Sequence, residues 1–384
     1  MAILFFGYVL SWIEIDSKAL KFNIENFKSI VSKKTKLYAV VKSNAYGHGI
    51  KEVVSVVKND VDGFALNHIS EIQPIYEMTD RPFLIMGGFE KDDLKLLLDK
   101  DPKRIFLVVS NKDQIQMIKE LAPEVWVYLK VDTGMSRLGY RPDSKKFTQT
   151  LEYLKEKNLN FVGLMTHFSN VEDVTEQNYA YFQLELFEKA KKILYQIFPK
   201  KKFLFHTAAS AATMLIPESH QDLVRIGISL YGLWPSLPTK LSAYNIYQDR
   251  FNLKSVLTWK TKIVHINEVP ENSKVGYGCT YQTSTKTKIA VLPVGYNEGY
   301  DRSLSNRSSV IINNKRAMVI GRVCMNMIMV DITHIKNAKV GDEVILIGKS
   351  ENEEITADEL AEITGTINYE IVTRIHPSIP RIVI

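Results

Sequence analysis

The chain of 384 residues is too long for one ordinary domain, and its 45% apolar content can fill two sizeable cores. Its net charge of +6 comes from scattered lysines, densest at Lys200-Lys201-Lys202, and no basic face with interleaved aromatics appears, which argues against nucleic-acid binding. The two cysteines, Cys279 and Cys324, fit no metal-ligand spacing and imply no disulfide framework, so no metal is expected.

The start, Ala2 to Trp12, is apolar, has no basic leader and runs at once into Glu14 and Asp16. It is too short to span a bilayer and lacks a small-residue cleavage site. It reads as a strand of a cytoplasmic protein with no membrane attachment. Residues 17–31 then carry apolar side chains at helical spacing (Leu20, Ile24, Phe27, Val31), with Asp16 or Ser17 as the cap. Residues 37–41 are an apolar run of strand length that stops at Lys42. Ser43-Asn44-Ala45-Tyr46-Gly47-His48-Gly49 follows, and its Asn, Gly and His suit a turn or a helix start. A lysine at the end of a buried strand is partly desolvated, which favours a neutral amine that can attack an aldehyde. Taken alone, the simpler reading is a solvated lysine that marks the strand end.

Predicted helices cover 50–58, 69–78, 92–99, 112–121, 143–157 and 176–195, interleaved with predicted strands at 63–66, 82–88, 104–109, 125–131, 161–167 and 202–206. A short helix begins near Ser210, and 224–231 reads as a last strand. About eight apolar strands, each followed by a helix or helical turn, indicate a parallel sheet buried on both faces. This number of repeats predicts an α/β protein built on an N-terminal (β/α)8 barrel. An open doubly wound sheet is the alternative, weakened because no Gly-x-Gly-x-x-Gly follows a first strand. From Leu253 onward, short β-branched runs (256–264, 288–293, 309–312, 317–331, 343–347) are separated by turn residues, with Asn313-Asn314 suited to a hairpin turn and Thr356 capping one helix. The expected organisation is a strand at 1–13 joining the C-terminal domain, the barrel over 14–244, and a C-terminal mostly β domain over 245–384.

Catalytic side chains of a (β/α)8 barrel sit at the C-terminal ends of its strands. Here those ends carry Lys42, Lys130, His167, His206, Ser210 and Arg225. Each has an ordinary explanation: a surface pair of Lys130 or Arg137 with Asp132, two core histidines, a helix cap at Ser210. So many polar groups on one rim are costly without a ligand to satisfy them. Pyridoxal 5'-phosphate asks for such a set. It needs a lysine for its aldehyde, hydroxyls and backbone N–H groups for its phosphate, and polar partners for its ring.

Residues 37–49 resemble the cofactor-attachment motif of alanine racemase, an apolar strand followed by Lys-x-Asn/Asp-Ala-Tyr-Gly-His-Gly. Further stretches resemble the same family in order and spacing: Leu129-Lys130-Val131-Asp132-Thr133-Gly134-Met135-Ser136-Arg137-Leu138-Gly139, 164–168, 224–232, 275–281, 293–296, 321–325 and 366–370. The resemblance implies a homodimeric pyridoxal-phosphate-dependent racemase that supplies D-alanine for peptidoglycan. Lys42 would carry the cofactor as a Schiff base and act as one acid/base. Tyr277, donated by the other subunit, would be the opposite one, activated by His167. Two bases on opposite faces of a flat carbanion are what racemisation requires. Arg225, backed by His206, would bond the pyridine nitrogen. Tyr46, Ser210, Tyr369 and the N–H groups of Gly227 and Ile228 would hold the phosphate. Arg137 would contact the phenolic oxygen and the substrate carboxylate, joined by the Met325 N–H of the other subunit. Lys130 matches a lysine carbamylated in many relatives, and Arg302 and Arg322 would line the substrate path.

Three positions depart from the family pattern: Ala209 stands where Asn is usual, Gly276 where Ser is usual, and Asn326 where Asp is usual. The last removes a negative charge near the pocket and leaves a broader range, such as serine, open. A decarboxylase of the same fold is one rival, with Cys324 as its candidate acid. A single-domain cofactor carrier is another, and the β domain with Tyr277 argues against it.

Overall fold

The computed structural model describes residues 10–172 and 177–384 and divides them between two units. One unit holds Lys18–Ala45 and Val53–Lys254; the other gathers the described residues before Lys18, the stretch Tyr46–Glu52 and Ser255–Ile384. The expected strand over 1–9 and the helix start at 176 fall outside the described residues.

Strand β1 (Ser11–Ile15) belongs to the second unit. The first is built on β2 (Lys36–Val40), β3 (Gly63–Leu66), β4 (Phe83–Ile85), β5 (Ile105–Val109), β6 (Trp126–Lys130), β7 (Asn160–Met165), β8 (Leu204–His206) and β9 (Leu223–Ile226). They form one eight-stranded sheet in the order β8-β7-β6-β5-β4-β3-β2-β9, with parallel pairing throughout. The seam between β8 and β9 is drawn together by Asp222 N–H to Phe205 O (3.0 Å), Arg225 N–H to Ala208 O (3.1 Å) and Phe205 N–H to the Asp222 carboxylate (2.8 Å). The sheet is therefore a nearly closed barrel, and its strands are almost wholly apolar because both faces are covered. Outer helices turn one apolar stripe inward: Leu20, Ile24 and Phe27 of Ser17–Ile30 are each fully buried. Burying a side chain of this size stabilises the fold by roughly 1.5–3 kcal/mol.

In the second unit β1 pairs antiparallel with Leu257–Lys262 and parallel with Arg381–Val383. Glu343–Lys349, Ser309–Ile312 and Lys315–Met318 extend that sheet. A separate three-stranded sheet joins His265–Val269, Thr287–Leu292 and Ile328–Asp331. Asn313 and Asn314 take φ of 48 and 61, as a two-residue hairpin turn requires.

Several predicted elements come out differently. The helix expected at 69–78 is two short 3-10 turns, Ile69–Ile72 and Tyr76–Met78, because Pro74 between them has no N–H to continue a ladder. The run at 317–331 is two strands separated by a turn through Gly321. Strand 224–231 ends at Ile226, and Ile228–Tyr231 is a 3-10 turn. The helix Leu237–Tyr247 was not expected, since Leu237, Leu241 and Tyr244 lie exposed and no inward apolar stripe announces it. Its signal was the Ser236 cap, which accepts the Thr239 N–H, with a proline in the first turn.

Candidate active site

The C-terminal end of β2 is where the backbone changes hand. Ser43, Asn44 and Ala45 have φ of 54 and Tyr46 has φ of 52, a full left-handed turn. Such a backbone costs roughly 1–2 kcal/mol for each residue with a Cβ. Ala45 N–H bonds back to the Val41 carbonyl at 2.9 Å, and Ser43 N–H donates to the Glu71 carboxylate at 2.6 Å. Gly47 follows with φ +82, and a Cβ there would stand 2.0 Å from the Val372 carbonyl oxygen, so only glycine fits. Lys42, at the head of this turn, is partly buried. Burial pushes its amine below the usual lysine range, the Arg137 guanidinium adds to the shift, and Glu71 opposes it.

Arg225 on β9 is 2% exposed, and its partners are histidines and carbonyls. One nitrogen donates to His206 Nδ1 at 2.5 Å. The other donates to the carbonyls of Thr166 (3.0 Å) and Thr207 (2.9 Å) and lies 3.5 Å from His167 Nδ1. A guanidinium can only donate, so Nδ1 of His206 accepts and its proton is assigned to Nε2. That Nε2 has no hydrogen-bond partner, and the ring stands edge-on to Tyr128 at 4.6 Å between centroids. Burial lowers Arg225 to about 9, which leaves it charged at neutral pH.

Lys130, the last residue of β6, is buried, and its amine is driven well below the usual range by that burial, then by Arg225 and Arg137. Asp132 acts the other way on it. The same carboxylate accepts the N–H groups of Gly134 and Ser136, both at 3.0 Å, and shapes the turn that leads to exposed Arg137. His167 and His206 are both held well below the usual histidine range, first by burial and then by Arg225. Both rings are thus neutral at pH 7. Ser210 opens the helix Ser210–Leu215, and its Oγ accepts the Gly227 N–H at 3.0 Å beside the 3-10 turn that starts at Ile228. Ala209, at the cap position of that helix, makes no side-chain bond.

The first unit therefore brings Lys42, Lys130, Arg137, His167, His206, Ser210, Arg225, Gly227 and Ile228 to one end of its barrel. Its supporting residues escaped sequence reasoning. Thr166 and Thr133 join hydroxyls at 2.8 Å, and Gln183 donates to the Thr133 hydroxyl at 3.2 Å and the His167 carbonyl at 3.3 Å. No motif marks such residues.

The second unit carries the remainder. The rings of Tyr46 and Tyr369 lie 6.2 Å apart. Tyr277 is 74% exposed on a turn opened by Gly276, whose φ of 70 favours glycine and accounts for the missing serine. Met325 is also exposed. Asn326 Nδ2 donates to Glu298 at 2.7 Å, and the same carboxylate accepts the Gly295 N–H at 2.8 Å. An aspartate at 326 would face Glu298 as a like charge, so asparagine is the matched residue here. Tyr296, Gly299, Asp301, Arg302 and Arg374 line a cavity of about 470 Å³. Arg322 lies beside Gly278, with its guanidinium carbon 3.0 Å from where a Cβ would stand.

Two guanidiniums thus act on lysines whose amines burial already lowers, Arg137 on Lys42 and Lys130 and Arg225 on Lys130, and among the described residues Asp132 and Glu71 are the carboxylates that oppose the shift at the two lysines. Such a surplus of positive charge suits a multiply anionic ligand. The residues present fit a phosphorylated aldehyde: a lowered lysine, a hydroxyl beside backbone N–H groups, and a charged donor. Among the described residues, no cluster of His, Cys, Asp and Glu could hold a metal, and no helix is long and apolar enough to cross a membrane.

The neutral histidines make the fold acid-sensitive. An unfolded histidine binds a proton near pH 6.5, whereas buried His206 resists one. The unfolded state then holds more protons, so stability falls as pH drops below about 6.5, by up to about 1.4 kcal/mol per pH unit for this residue. Urea melts at pH 7.5 and 5.5 will read the slope, and His206→Asn should flatten it. An unchanged slope would refute the assignment.

Comparison with known proteins points to one family over nearly the whole chain. Residues 15–235 match the family model described as "Alanine racemase, N-terminal domain", and 256–383 match "Alanine racemase, C-terminal domain". The chain is 44% identical over 376 residues to the alanine racemase of Leptospira interrogans, covering 97% of this chain and 96% of that one. It is 36% identical over 384 residues to the alanine racemase of Methanococcus maripaludis, covering 97% and 98%. Among solved structures, the alanine racemase of Clostridium difficile 630 superposes with a TM-score of 0.89 at 31% identity over 98% of this chain and 96% of that one. The Bacillus anthracis alanine racemase with bound L-Ala-P gives 0.88 at 30%, over 98% and 95%.

Proposed function

We propose that this chain, which belongs to the alanine racemase family, interconverts L- and D-alanine with the help of pyridoxal 5'-phosphate. The observation that carries the reading is the convergence at the barrel rim of a lysine with a lowered amine, the buried Arg225 guanidinium and a serine hydroxyl beside backbone N–H groups, which an aldehyde, a ring nitrogen and a phosphate would satisfy. The cofactor, when bound, supplies the electron sink that makes an amino acid's α-hydrogen acidic. Lys42 would be its attachment point and, with its amine lowered by burial below the usual lysine range, one of the two proton-transfer groups. Arg225 would meet the ring nitrogen as a charged donor and keep a proton off it, with His206 as the acceptor behind it. Ser210 and the N–H groups of Gly227 and Ile228 would hold the phosphate, a role that Tyr46 and Tyr369 would share. Arg137 binds the substrate carboxylate, and a carbamylated Lys130 would carry the negative charge that orients it.

The second proton-transfer group is the Tyr277 hydroxyl, donated with the Met325 N–H by the other subunit of a homodimer; in the direction in which Tyr277 acts as the base, neutral His167 would receive its hydroxyl proton. Lys42 Nζ takes the α-proton from one face while the Tyr277 oxygen delivers one to the other; the reverse reaction exchanges their roles. The product would serve peptidoglycan synthesis in the cytoplasm.

The test is incubation of purified protein with L-alanine in deuterated water, then chiral separation. D-alanine labelled at the α-carbon is the expected result. No inversion, or carbon dioxide release from lysine or ornithine, would overturn it in favour of the decarboxylase. Asn326→Asp is expected to loosen the turn that holds Met325, raising KM for alanine several-fold with kcat little changed and costing under about 1 kcal/mol in a thermal melt.

A further inference from the structure

We propose that Glu71 is the positioning residue for Lys42: its carboxylate clamps the break in the β2–β3 ladder that lets the chain turn left-handed and present the lysine at the barrel rim. The proposal rests on the reading of Lys42 as the cofactor-bearing residue. β2 and β3 pair in parallel as far as Val40 opposite Ala65, and Val41 N–H still reaches the Ala65 carbonyl at 2.9 Å. A ladder continued from there would send Asn67 N–H to the Val41 carbonyl and Ser43 N–H to the Asn67 carbonyl. Neither bond forms. The Val41 carbonyl is taken by Ala45 N–H at 2.9 Å, inside the left-handed turn, and the Asn67 carbonyl by Gly87 N–H at 2.9 Å, from the end of β4.

Two N–H groups are thus displaced, and one side chain collects both. Glu71 Oε1 accepts Ser43 N–H at 2.6 Å, and Oε2 accepts Asn67 N–H at 2.8 Å and His68 N–H at 3.0 Å. A carboxylate with two acceptor oxygens can bridge two strand ends that no longer reach each other; an amide or hydroxyl cannot accept at both. Bonds of this kind to a charged group are also the stronger ones. The clamp therefore holds a backbone conformation that is costly at four successive residues carrying a Cβ. The charge has a second effect. Burial pushes the Lys42 amine down, Arg137 adds to that, and Glu71 pulls against both, so removing the carboxylate's charge should lower the amine further.

Glu71→Gln tests both effects, because it keeps the size and one acceptor oxygen but loses the charge and the second. The full-length chain is stripped of any bound aldehyde with hydroxylamine. Lys42 is then labelled by reductive methylation across a pH series and read by peptide mass spectrometry. The expected result is half-labelling at lower pH in Glu71→Gln than in the parent, with faster amide exchange over 41–47 and kcat/KM for alanine down by about tenfold or more. Glu71→Asp keeps the charge and loses reach, so its labelling midpoint should stay near the parent's while exchange rises. This variant also decides the matter if Glu71→Gln does not fold. Parental labelling and exchange in a folded Glu71→Gln, or a midpoint in Glu71→Asp displaced as far as in Glu71→Gln, overturns the proposal. A parent chain that never racemises alanine would sink the functional reading instead, and the labelling and exchange would still judge Glu71.

Discussion

Lys42→Ala is expected to abolish covalent attachment of pyridoxal phosphate and to lower kcat/KM for alanine by on the order of 10⁴-fold or more, since one residue is asked to anchor the cofactor and to move a proton. Borohydride reduction followed by peptide mass spectrometry reads the first effect: the parent should keep a pyridoxyl group on Lys42 and the variant none. Lys42→Arg should fail equally, because a guanidinium keeps its proton where a desolvated amine can release it. The loss should not come from unfolding. Lys42 is partly buried, which disfavours its charge, and of the two charges that act on it Arg137 repels more than Glu71 attracts, so the aldehyde-free variant should melt close to the parent. A pyridoxyl group found instead on Lys130, which is buried and even more strongly lowered, would move the attachment point from the end of β2 to the end of β6 and end the assignment.

The contrast between these two lysines shows what the residues alone could reveal. That both stand at strand ends follows from apolar runs that stop at a charge, which local pattern reading finds readily. The same reasoning found most barrel strands, because parallel strands buried on both faces are unbroken apolar segments. It could not find the left-handed turn after Lys42. Serine, asparagine, alanine and tyrosine show no glycine there, and the conformation is imposed from a distance by Glu71, 28 positions away. The helix expected at 69–78 does have an apolar stripe, in Ile69, Ile72, Ile75 and Tyr76, but periodicity does not register that Pro74 breaks its ladder, whereas the exposed-faced helix Leu237–Tyr247 has no inward stripe for periodicity to find. Gly276 and Asn326 depart from the motif for reasons that lie in their surroundings. One has a backbone that favours glycine, and the other donates to a carboxylate that an aspartate would repel.

Tyr277→Phe is the sharper test of a two-sided reaction. The residue is 74% exposed, so losing its hydroxyl should change stability by no more than about 0.5 kcal/mol. Racemisation should nevertheless fall by on the order of 10³-fold or more, as expected for a missing acid/base group. Proton exchange should survive on the side that Lys42 serves. In deuterated water the variant is therefore expected to label one enantiomer of alanine at the α-carbon without converting it to the other, whereas Lys42→Ala should label neither. Inversion at the parental rate would remove Tyr277 from the reaction. Mixing the two inactive variants then asks where the phenol comes from. If each site pairs Lys42 of one chain with Tyr277 of another, a mixed dimer has one intact site of two. Half of randomly reassorted dimers are mixed, so the mixture should recover about a quarter of parental activity. If both groups belong to one chain, every site in the mixture lacks one of them, and no activity returns.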